Sequence, residues 1–226
     1  FSQLVLPFLT DNSASIRSFA RYALKNESVD FQNVYNDFLL SKQHVCASLC
    51  GLVETNANQF TETIVPFLSD EKIKVRKMAF FTLNQFDRSK TLAYALSNLG
   101  SHNLGIRNQV VDYFSIAPTP EVLSRARELF ELGTPELKKS MLKLFSQIGK
   151  WTAITVLIKG TIDEDEGVRQ LSNTYLQKWL FRATSYFTEP KTGELESANE
   201  MFTIAYEIHE RKKYFSQNPL LGLDFY

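Results

Sequence analysis

His44, Cys46 and Cys50 are the residues whose types and spacing come nearest to a metal-ligand set. On a helix, Cys46 and Cys50 stand four apart on one face, and His44 falls to the side of it. A structural zinc site takes four ligands, and the chain has no CxxC pair. The two thiols therefore read as packing groups between helices. No metal and no other cofactor is expected. His209-Glu210 is the single His-Glu dipeptide in a chain with 3 histidines. There is no Gly-rich phosphate loop and no G-x-S-x-G nucleophile elbow. Carboxylates are plentiful, but no spacing pairs them for acid–base work. Lys138, Lys139, Lys143 and Lys150 form a basic group. It reads as a solvated helix face or, more pointedly, as a contact for an acidic peptide or a phosphate.

The elements that carry these residues are helices in pairs. The phrase LPFLTDNSASIR at Leu6–Arg17 returns as VPFLSDEKIKVR at Val65–Arg76, 59 residues on. Aligned on Ile16-Arg17, the same register recurs at Val45-Cys46, Val75-Arg76, Ile106-Arg107, Leu137-Lys138 and Val168-Arg169, in steps of 29 to 31 residues. Taking Arg17 and its counterparts as the register position, the residue before it is always aliphatic. Seven after it come Leu24, Val53, Leu83, Phe114, Phe145 and Leu176. Three after it come Ala20, Leu49, Ala79, Val110, Met141 and Ser172. Positions recurring every four residues make one stripe along one helix face, which predicts burial of each aliphatic residue before the register position. A second amphipathic segment precedes each such helix, as at residues 31–40, 60–68, 91–99, 121–132 and 152–162, with short polar turns between. A period near 30 with helical patterning is the mark of stacked helix pairs.

Three of the turns read Asp-x5-Arg: Asp11/Arg17, Asp70/Arg76 and Asp163/Arg169. With Pro7 and Pro66 in the preceding helices, residues 1–182 resemble the HEAT repeat. The resemblance implies an all-α, right-handed superhelical solenoid of about six repeats. It also implies a ladder of turn Asp and second-helix Arg between neighbouring repeats. The second repeat departs from the pattern with Cys46 at the Arg position. The fourth and fifth place Ser101 and Leu132 where the turn Asp is expected. After Trp179 the register ends. Residues 183–226 hold the polar stretch TEPKTGELES and a helix expected over 198–215, with Met201, Ile204, Ala205 and Ile208 as its apolar stripe. That helix is expected to cap the array. The apolar tail NPLLGLDFY is expected to dock back, or to continue into a further domain or a partner.

Composition narrows the function. In 226 residues the hydrophobic fraction is 44%, which excludes a disordered chain. Lys+Arg and Asp+Glu each number 25, and this balance argues against a strongly basic nucleic-acid binder. No run of about 18 apolar residues exists to cross a membrane. No leader segment is read at the start, and Phe1 in place of Met fits a trimmed piece of a longer protein. Two cysteines make no disulfide framework, and free thiols suit the reducing cytoplasm. The expected role is non-catalytic binding of a protein or peptide on the concave face, which the second helices of a HEAT-like array line. Positions one and four after the register position are expected to face out: Arg21, Lys77, Phe80, Asn108, Val111, Lys139, Leu142 and Asn173. Arg21, Phe80 and Lys139 are the expected anchors. The alternative is a nucleic-acid-binding domain similar to HEAT-like alkylpurine DNA glycosylases, which carry Trp-Trp-Asp-x-Val-Asp on a second helix. The nearest stretch is Arg107–Asp112, where only Val111-Asp112 fits, and Trp151 and Trp179 lie elsewhere. The di-iron hydroxylases of HEAT-like build need several His-Glu pairs, and this chain has one.

Overall fold

Proline sets where several helices start and stop. The computed structural model describes residues 2–183 and 189–217. Its helices are α1 (Ser2–Val5), α2 (Ala14–Ala23), α3 (Phe31–Leu40), α4 (Val45–Glu54), α5 (Thr61–Ile64), α6 (Ile73–Phe86) and α7 (Arg88–Asn98). They continue with α8 (Leu104–Ile116), α9 (Pro120–Leu132), α10 (Pro135–Ile148), α11 (Lys150–Gly160), α12 (Glu166–Ala183) and α13 (Thr192–Gln217). Among the described residues there is no strand. Pro120 and Pro135 open α9 and α10, where a missing N–H costs nothing. Pro7 and Pro66 act differently. α1 and α5 are only four residues long, and each passes into a 3-10 turn, Leu6–Thr10 and Val65–Ser69, at its proline. The ring cannot donate the hydrogen bond and crowds the preceding turn, so the single helix expected over 60–68 is broken in two. Asp30 and Asp87 cap α3 and α7 by accepting from Gln32 N at 3.1 Å and Lys90 N at 2.9 Å.

The chain divides into two compact units, Phe1–Ile106 and Arg107–Tyr226. In the first, α3 packs on α4 and α4 lies along α6. Leu9, Leu24, Tyr35, Leu39, Leu49, Leu52, Ile64, Leu68 and Leu83 are buried between them. Gly51 makes the α3–α4 approach possible, because a Cβ there would lie 2.4 Å from the Tyr35 ring. In the second unit α10, α11 and α12 pack on one another around Met141, Leu144, Phe145, Leu157 and Val168. α13 docks along α11, burying Ala198 and Ala205, and His209 Nε2 lies 3.4 Å from Thr161 Oγ1. α13 begins at Thr192, ahead of the expected Ala198. Glu194 accepts from Lys191 N at 3.1 Å and so anchors the earlier start. Ile204, expected in the buried stripe, is 42% exposed. The tail from 218 onward lies outside the described residues.

Each Asp-x5-Arg turn is closed by its own arginine, and Arg17 also reaches the next helix pair through Glu54 of α4. Arg17 Nη1 donates to Asp11 O at 2.6 Å and Asn12 O at 3.0 Å. Arg76 Nη1 does the same to Asp70 O and Glu71 O at 2.7 and 2.9 Å. Arg169 Nη1 donates to Asp163 O and Glu164 O at 2.8 and 2.7 Å. Each Asp carboxylate accepts the N–H two residues on, from Ser13 at 2.7 Å, Lys72 at 2.8 Å and Asp165 at 2.9 Å. The expected Asp–Arg ladder between neighbours is thus a clamp within one turn. Other groups tie successive pairs together. Lys138, at the register position of α10, reaches Asp163 of the following turn at 2.6 Å. Arg107 donates through Nε to Ser140 Oγ at 2.8 Å.

Candidate functional site

A helix turns about 100° per residue, so burial at the positions one before, three after and seven after the register position leaves the opposite arc in solvent. The register position is itself buried in Arg17, Arg76 and Arg107, which widens the covered arc. Position +4 then falls on the flank of the core, and position +5 falls opposite it. Phe80, at +4, is 7% exposed, and Val111 and Leu142 are fully covered. Tyr22 and Phe81, both at +5 and 59 residues apart, are 73% and 51% exposed. Lys77, at +1, is exposed as expected.

None of the three expected anchors stands free. Phe80 packs into the core beside Tyr94, with ring centroids 6.2 Å apart. Arg21 lies on the flank of α2. Its Nη1 donates to Glu54 Oε2 at 2.7 Å and Tyr35 Oη at 3.0 Å, and its side chain is only 16% exposed. Lys139 sits 3.4 Å from Asp165. Lys138 lies on Asp163 at 2.6 Å and Lys143 on Asp112 at 2.8 Å, while Lys150, the fourth lysine of the group, is exposed. The three lysines of α10 are thus locally neutralised.

Arg17, Arg21, Tyr35 and Glu54 make one charged cluster that ties α2 to α3 and α4. Glu54 accepts from both Arg17 and Arg21. Burial opposes its ionisation, but the two guanidinium donors outweigh burial and hold its carboxyl below the ordinary range. The bond to Glu54 raises Arg17 further, against the pull of burial. Burial pushes the Tyr35 hydroxyl up, and Arg21 moderates the effect. These groups are committed to one another, which is the arrangement of a structural tie.

The metal candidates diverge. Cys50 Sγ lies 3.5 Å from Met78 Sδ across α4 and α6, and burial raises its pKa, which keeps it a thiol. His44 stacks edge-on to Phe38 with centroids 5.7 Å apart. Cys46 instead faces a cleft of 510 Å³, lined also by Thr10, Asn12, Lys42, His44, Phe67, Asp70, Lys72 and Val75. The cleft lies where the short Cys46 side chain replaces the arginine that clamps other turns. Its rim carries Lys42 and His44 at φ of 55° and 46°, a backbone region that side chains seldom occupy. Among the described residues no three His, Cys, Asp or Glu side chains converge as a metal would need. Asp112, the counterpart of a glycosylase acid in the alternative reading, is an exposed carboxylate held by Lys143. Trp151 and Trp179 pack edge to face at 5.5 Å, and Trp179 Nε1 donates to Lys150 O at 2.5 Å, so they serve as packing. No helix among the described residues is long and apolar enough to cross a membrane. The chain matches no family model and no curated protein.

At the +5 position, Tyr22 of α2 and Phe81 of α6 present large side chains to solvent, while their counterpart in α4, Gly51, is buried. Sequence reasoning missed Tyr22 and Phe81 by one position. The signal that finds them is the arginine at the register position. Read as a buried clamp rather than an exposed charge, it moves the solvent-facing arc by one residue.

Proposed function

We propose that the chain is a HEAT-like α-solenoid, a right-handed superhelix of about six repeats with α13 as its cap, and that it binds a protein or peptide without catalysis. The observation that carries this reading is the pair Tyr22 and Phe81. They are large apolar side chains at equivalent places on α2 and α6, held 73% and 51% exposed by rigid helices. Aromatic anchors of this kind dominate interface energetics. The self-paired lysines and the zero net charge support an apolar, weakly charged contact over a phosphate-rich one. A cytoplasmic partner suits the two free thiols.

The test is to install a photo-crosslinking residue in turn at Tyr22, at Phe81 and at the exposed Leu132 of α9 in the native host. One protein captured from the first two positions and absent from the third supports the reading. Capture of nucleic acid from them, or equal capture from Leu132, counts against it. Release of an alkylated base from duplex DNA, abolished by Asp112→Asn, would move the chain to the glycosylase-like class.

A further inference from the structure

The first and third helix pairs are near copies with one bare side between them. In the third pair Phe67 and Val75 are 7% and 6% exposed, while their counterparts Phe8 and Ile16 are 49% and 40% exposed. Met78 is half-buried against the Cys50 thiol, and its counterpart Phe19 is 71% exposed. The two pairs are otherwise built alike. α2 packs on Leu6–Thr10 as α6 packs on Val65–Ser69. The same arginine clamp closes both turns. What differs is the helix pair in front. α4 lies along α6, brings Cys46 and Ala47 beside Phe67 and Val75, and accepts from Thr82 Oγ1 through Leu49 O at 3.5 Å. Nothing among the described residues does this for α2. The expectation that every aliphatic residue before the register position is buried fails at Ile16 for this reason.

We propose that the face formed by Phe8, Ile16 and Phe19 is a docking surface for an antiparallel helix pair built like α3–α4. The third pair supplies the template for the occupant. Its second helix presents small and soft side chains, as Cys46, Ala47 and Cys50 do, so that three large side chains can seat in its surface. The neighbours on α2 are Ser15 and Ser18, both exposed and uncharged, so the occupant needs no complementary charge. This surface adjoins Tyr22, three residues after Phe19 on α2, but is argued from the burial of Phe67, Val75 and Met78 in the third pair and not from the binding of a protein at Tyr22 and Phe81.

The probe is the full chain extended by a copy of its own residues 31–59 joined to Phe1. That junction keeps the 59-residue offset, because Phe60 is the counterpart of Phe1. The expected result is a higher melting temperature and amide exchange in α2 slowed about tenfold or more. Both gains should vanish with Phe19→Asp, a change that leaves the unextended chain's melting temperature unaltered. An appended segment that exchanges like unfolded chain, with α2 unchanged, overturns the proposal. So does unfolding of the unextended chain by Phe19→Asp. Sedimentation that finds the unextended chain dimeric, and monomeric after Phe19→Asp, also overturns it by giving the face to a second copy.

Discussion

Glu54 is the residue on which the α2–α4 tie depends. Its carboxyl is held below its ordinary value of 4.5 by Arg17 and Arg21, despite burial. Because the folded value is the lower one, the stabilisation is fully present above the unfolded value. It is lost as pH falls through the folded value. Guanidinium groups in general do not titrate in this range, so the loss belongs to the carboxylate. Glu54→Gln should cost about 1.5–3 kcal/mol at neutral pH, the range for a hydrogen bond to a charged group. It should also flatten the fall in stability on acidification below about pH 4.5. Urea denaturation at pH 7 and at pH 3.5 measures both effects. A variant that keeps the wild-type acid sensitivity would show that other carboxylates carry it. At this scale the sequence was legible for Arg17 as a structural residue and silent on its partner. Glu54 lies 37 residues away and falls outside the Asp-x5-Arg pattern.

At the scale of the element, the register separates two similar aliphatic residues. Val75 is 6% exposed against α4, and Ile16 is 40% exposed on an uncovered face. Val75→Asp should cost several kcal/mol, about 3 or more, because it buries an unpaired charge. Ile16→Asp should stay within about 0.5 kcal/mol. Melting curves of the two variants side by side decide the matter, and equal losses would undo the assignment of faces. Gly51→Ala should cost about 1–3 kcal/mol by overpacking, since the new Cβ meets the fully buried Tyr35 ring. The helix pairs were legible because burial repeats with the helical period. α3 runs Phe31–Leu40, as its amphipathic stretch predicts. The breaks at Pro7 and Pro66 were legible only as prolines. Whether a proline ends a helix or merely tightens it into a 3-10 turn depends on what the freed backbone groups find next.

At the scale of the molecule, the proposed contact is a weakly charged one. With 25 cations against 25 anions and the lysines of α10 already paired, binding should depend little on salt. Between 50 and 200 mM salt the partner's Kd should move by less than about threefold, where a duplex-DNA contact of several phosphates loses about a thousandfold. Tyr22→Ala with Phe81→Ala should weaken the partner by about 2 kcal/mol or more and leave the melting temperature within a few degrees. Isothermal titration across salt, on both proteins, reads both effects. A steep salt slope or an unchanged Kd would redirect attention from these two aromatics. The all-helical class was legible in the sequence from period alone. The exposed aromatic pair was not, because one residue of helix rotation separates a buried Phe80 from an exposed Phe81, and composition cannot tell them apart.

The arginine clamp also bears on how such a chain can drift. Each clamp grips carbonyl oxygens, which every amino acid supplies, and asks nothing of the side chain that follows the aspartate. That place is already Asn12 in one turn and Glu71 and Glu164 in the others. Shape is thereby decoupled from identity at these corners. One bend therefore accepts a neutral amide in one turn and a carboxylate in the other two, with the arginine holding the same backbone oxygens in all three.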